Sequence, residues 1–198
     1  MSRIYAIIIV LVSGMFCNNL NISYCHPHMY IEHFNAVVFN EKGLDGFRIK
    51  WLFDEMFTAT ILNDYDKDNN THFNLDEEKL VYNRVFENLK EAHYFCDIEI
   101  EGDQFVVEFV KDFHADVQDN KLVFTFFVPC PLFASNVRKK VVMCVYDKTC
   151  FVDIYMQDKN LHFENADKYE FNYTIKENYD KSFLAPKEVA LFFAEIPK

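Results

Sequence analysis

The sequence predicts an α+β fold: antiparallel β-hairpins and sheets with one EF-hand-like helix–loop–helix inserted between them. Three observations carry this. Runs rich in Val and Phe recur with turn residues between them, as half-buried strands require. The stretch from Asp54 to Ala92 breaks that pattern and sets Leu80, Val81, Val85, Phe86 and Leu89 at helical spacing. No internal repeat or Pro/Gly-rich linker divides the chain, so residues 26–198 read as one domain with the insertion at about 54–92.

Taken in order, residues 1–25 read as a secretory signal peptide. Arg3 supplies the positive start, and Ile4 to Val12 form an apolar run too short to span a bilayer. Cleavage suits the bond after Gly14 or the bond after Cys25; the second leaves residues 1–25 as the leader. No later segment is apolar enough to cross a membrane, which predicts a soluble protein, exported to the periplasm or beyond. Met29 to Asn40 and Gly46 to Phe53 then flank a turn that uses Gly43. Asp54 is placed to cap a helix over Glu55 to Asn63, and a second helix opens near Asp76 and runs to about Ala92. Hairpins are expected around Gly102-Asp103, around Asp119-Asn120, and between Val141–Tyr146 and Cys150–Met156. Tyr169 to Lys176 is read as the last strand.

Composition narrows the function. With 22 Phe and 11 Tyr in 198 residues the chain can fill a core. A net charge of −11 excludes nucleic acid and anionic membrane surfaces as natural partners and suits cations. Cys96, Cys130, Cys144 and Cys150 follow the leader; export permits disulfides among them, and three full pairings stay open. No Ser-His-Asp pattern, H-E-x-x-H or phosphate loop occurs, so the chain reads as a non-enzyme. Asp54-Glu55 is read as a helix cap and a favourable dipole contact.

Asp66 to Glu77 reads D-K-D-N-N-T-H-F-N-L-D-E, the spacing of an EF-hand calcium loop. Asp66, Asp68 and Asn70 supply side-chain ligands and His72 its backbone carbonyl. Asn74 acts directly or through water, and Glu77 closes the site with both oxygens. Phe73 anchors the loop to the core. A frame starting at Asp64 puts Leu75 at the twelfth position and destroys the match. The sixth position, where Gly normally provides a left-handed turn, is Thr71, at a cost on the order of 1–2 kcal/mol. Ca²⁺ binding is therefore expected to be weak and structural.

His26-Pro27-His28 opens the mature region. Residues two apart on an extended chain share a face about 6.8 Å apart, close enough for two imidazoles to hold one Ni²⁺, Co²⁺ or Zn²⁺ ion. Glu32 lies about 13 Å beyond His28, too far to complete that site. His93, His114, His162 and Asp147 are unranked candidates for further ligands.

The runs H-P-H-M-Y-I-E (His26 to Glu32), W-L-F-D-E (Trp51 to Glu55) and Y-D-K-T-C-F-V (Tyr146 to Val152), with the acidic helix–loop–helix between the last two, resemble the exported proteins of domain-of-unknown-function family 1007. The resemblance covers nearly all of the mature chain. It implies a periplasmic component of a transport system, handling a transition metal and passing it to a nickel/cobalt-type membrane transporter. Thr71 departs from the Gly common in that family's acidic loop. The alternative is a calcium-stabilised structural or interaction module whose histidines have no transition-metal role.

Overall fold

The computed structural model describes residues 27–196, so the predicted leader and His26 lie outside the described residues. The architecture is mixed α and β, with two mainly antiparallel sheets. The first sheet has the order β5-β6-β2-β1-β8, with β9 also paired to β1. Its strands are β1 (Met29–Asn40), β2 (Gly43–Phe53), β5 (Lys111–Gln118), β6 (Lys121–Phe133), β8 (Val152–Tyr155) and β9 (Leu161–Glu164). The second has the order β10-β11-β7-β3-β4, formed by β3 (Cys96–Ile100), β4 (Asp103–Phe105), β7 (Lys139–Val145), β10 (Tyr169–Glu177) and β11 (Lys187–Glu195).

Alternation along β1 sends Ile31, His33, Asn35, Val37 and Phe39 into the core. There the sheets meet: Phe39 stacks on Tyr169 at 4.9 Å and meets Phe193 edge-on at 5.3 Å. The β1–β2 turn needs a glycine. Gly43 has φ 142°, and an added Cβ would lie 2.2 Å from the Leu132 carbonyl oxygen. The Asp119-Asn120 hairpin forms as expected on a left-handed pair. The first hairpin turns one residue earlier than expected, on left-handed Glu101/Gly102, so that Asp103 already belongs to β4, which ends at Phe105 rather than running to Val110.

Two helices follow β2: α1 (Glu55–Tyr65) and α2 (Leu75–Val81). At 11 and 7 residues, both are too short to be stable alone, and packing holds them. Thr58 accepts the buried Leu122 amide at 2.9 Å, Phe57 lies on Phe53 at 4.9 Å, and Phe86 lies on Phe126 at 5.0 Å. After Val81 the helical path widens into one π-type turn (Tyr82–Phe86), then tightens into a 3₁₀ segment.

Two expectations need correction. Val141–Tyr146 and Cys150–Met156 form no hairpin, because β7 belongs to the second sheet and β8 to the first, parallel to β1. The cause is Asp147, whose carboxylate gathers the amides of Thr149, Phe151 and Val152 at 2.8–3.0 Å and redirects the chain. Tyr169 to Lys176 is not the last strand; β11 follows and lies centrally between β10 and β7.

His33 brings a titratable group into the core. The Trp51 Nε1–H donates to His33 Nδ1 at 3.2 Å, and burial pushes the His33 pKa down to about 3. The unfolded chain takes up this proton near pH 6.5 and the folded one only near 3, so stability falls as pH drops through that window, by on the order of 4 kcal/mol. Urea midpoints measured from pH 7 to pH 4 should fall more steeply for the wild type than for His33→Gln, which keeps an acceptor for Trp51.

Candidate metal centre

The loop between α1 and α2 is organised around carboxylates. Asp66 and Glu77 are only 6% and 3% exposed, whereas Asp68 faces solvent. One oxygen from each of these three lies within 4.8 Å of the others. Backbone amides converge on the group. Asp66 accepts from the amides of Asn70 (3.2 Å) and Thr71 (2.8 Å), and Glu77 from those of Lys67 (2.8 Å) and Asn74 (3.0 Å).

The other predicted ligands are placed as follows. Asn70 donates from Nδ2 to Asp68 at 2.9 Å and accepts the His72 amide at 2.7 Å. Asn74 is the N-cap of α2, accepting from Asp76 and Glu77 while Glu77 accepts from the Asn74 amide, a reciprocal capping box. The His72 ring turns away to 3.7 Å from Asp116 on β5, leaving its carbonyl as the group available to the loop. Phe73 packs against the core. Thr71 has φ 66°, the left-handed conformation that the sixth position demands.

Glu78 is a residue that spacing alone did not single out. It accepts from the Ala115 amide at 2.9 Å and meets the His114 ring at 2.6 Å, tying α2 to the edge strand β5. That commits the His114 ring to α2. His93 lies against the Val107 carbonyl, and His162 is exposed on β9. The Asp147 carboxylate accepts the amides of its own turn.

His28 is exposed, yet its backbone is firmly seated. Its amide donates to the Phe151 carbonyl at 2.9 Å, and its ring lies 5.1 Å from that of Phe151. Next to it, Asp54 serves two segments: Oδ1 caps α1 through the Phe57 amide, and Oδ2 accepts the Tyr30 amide, both at 2.8 Å. The cap was legible in sequence; the link to Tyr30 was not, because it joins residues 24 apart. Residues from 28–30 and 54–56 thus meet, with Lys121, around a shallow recess of about 480 Å³, and the 147–151 turn is tied to its edge through Phe151.

A two-sheet α+β protein with an acidic interhelical loop and a seated N-terminal histidine is the class that these features define. The chain belongs to the family described as protein of unknown function (DUF1007), whose model matches residues 11–190. No curated protein matches it. Among the described residues, no helix is long and apolar enough to cross a membrane.

Left-handed Thr71 is costly, and its hydroxyl recovers part of the cost by donating to the Asn70 carbonyl at 2.6 Å. Thr71→Gly is expected to raise stability in saturating calcium by about 1 kcal/mol, the strain relieved less the bond lost. The unfolding midpoint reads this directly; an unchanged or lower midpoint would refute the strain argument.

Proposed function

We propose that this protein is an exported, non-catalytic metal-binding accessory to transition-metal transport, stiffened by a calcium ion in an EF-hand-like loop. The observation that carries the calcium part is the convergence of Asp66, Asp68 and Glu77 oxygens within 4.8 Å, two of the three carboxylates being buried. Carboxylates so close repel by on the order of 3 kcal/mol at an effective dielectric near 20, and a divalent cation turns that repulsion into attraction. Asp66, Asp68, Asn70, the His72 carbonyl and Glu77 would hold the ion, with Asn74 acting through water because its side-chain oxygen caps α2. Hard oxygen donors select calcium over softer metals.

The transition-metal part rests on His28. It sits exposed at the start of β1, on a backbone fixed by Phe151 and beside Asp54, and His26 lies two residues before it. Neutral imidazoles suit Ni²⁺, Co²⁺ or Zn²⁺, and an exposed pair suits a metal that is handed on, here to a membrane transporter. The second reading, a calcium-stabilised structural or interaction module, is favoured by Glu78, which builds the loop into the fold through β5.

Two measurements test this. With a Kd near 0.1 mM, 1 mM calcium should stabilise the protein by about 1.4 kcal/mol, a rise of roughly 3–6 °C in melting temperature. Glu77→Gln should abolish the rise, and a wild type indifferent to calcium refutes the calcium site. Calorimetric titration with nickel, cobalt and zinc should show a site lost in His26→Ala/His28→Ala; if those changes leave binding intact, the second reading replaces the first.

A further inference from the structure

The recess beside His28 is lined by His28, Tyr30, Asp54, Glu55, Met56 and Lys121. A two-bond clamp sets the spacing of its walls. The Asp54 amide donates to the Tyr30 carbonyl at 3.1 Å, and Asp54 Oδ2 accepts the Tyr30 amide at 2.8 Å. The antiparallel pairing of β1 with β2, in which Ile31 lies opposite Phe53, thereby continues for one more residue on each strand. His28 stands two residues before the clamp and Glu55 one residue after it, so the fold holds both against the same recess.

The groups around the recess differ in what they offer a cation. Asp54 supplies charge, and its two oxygens each accept an amide, from Phe57 and from Tyr30. Glu55 is exposed, and among the described residues its carboxylate makes no hydrogen bond or ion pair. It opens α1, where the positive end of the helix dipole favours a carboxylate. Lys121 sets one ammonium against these two carboxylates, which leaves the lining with an excess of negative charge. Met56 is 69% exposed and offers a thioether, a soft donor that suits monovalent copper better than nickel, cobalt or zinc. The imidazole of His28 and the carboxylate of Glu55 are thus the pair in this lining that suits a borderline divalent ion.

We propose, on the footing of the transition-metal reading above, that Glu55 is a further ligand to the ion held by His26 and His28. Two imidazoles and one carboxylate make a three-ligand set of the kind that holds zinc with a fourth position open to another donor. An open position is what handing the ion to a transporter by ligand exchange requires. The assignment also narrows the cargo to divalent zinc, nickel or cobalt, because monovalent copper asks for sulfur.

The test is calorimetric titration of the chain from His26 onward with zinc and with cobalt, in millimolar calcium to occupy the acidic loop. Glu55→Gln should weaken zinc binding by at least about tenfold, since even groups that only orient metal ligands are worth that much. Glu108→Gln, which removes an exposed charge outside the recess, should leave it near the wild-type value. The visible absorption of the cobalt-loaded protein reports the ligands themselves, and at saturating cobalt it should differ between Glu55→Gln and the wild type. The unfolding midpoint of Glu55→Gln in a chelator should match the wild type, because the side chain is exposed. A wild type that binds neither metal refutes the transition-metal reading and this assignment with it. If the wild type binds, and Glu55→Gln shows the affinity of Glu108→Gln and the wild-type cobalt spectrum, the assignment of Glu55 alone is overturned.

Discussion

Asp66 and Glu77 bring two carboxylates into the junction between two short helices, and charges of one sign cannot be held there without compensation. Four backbone amides turn toward them, which fixes the path of the loop from Lys67 to Asn74. That path forces Thr71 into a left-handed conformation and places Asn74 to cap α2. The helices depend on it in turn, because neither is long enough to persist by its own hydrogen bonds. Glu78 then transmits the arrangement to β5, the edge of the first sheet.

A second carboxylate pair does comparable work at the other end of α1. Asp54 joins the helix start to β1, and Asp147 folds the connection on which His28 rests. Both spend their oxygens on backbone amides, which immobilises the segment carrying an exposed histidine. Preorganising a ligand in this way lowers the ordering cost of binding.

Local features were legible in the sequence. The β1 span, the turns at Gly43 and Asn120 and the Asp54 cap all depend on neighbouring residues, and the structure places them where the pattern does. Non-local pairing was not legible. Asp147 looked like a turn residue in a hairpin, but its carboxylate redirects the chain into the other sheet. β11 was passed over although Val189 to Ala194 is a continuous apolar run, the pattern of a strand covered on both faces. The recess beside His28 drew no attention because its walls come from residues 28–30, 54–56 and 121, which only the fold brings together.

The central claim is that the carboxylates at the helix junction are compensated by a bound cation as well as by backbone amides. Long-wavelength anomalous diffraction from crystals grown in millimolar calcium tests it most directly. The account predicts a calcium peak enclosed by Asp66, Asp68, Asn70, the His72 carbonyl and Glu77, at about 2.3–2.6 Å from each ligating oxygen. A loop with no anomalous peak, its carboxylates still held by amides alone, would contradict it.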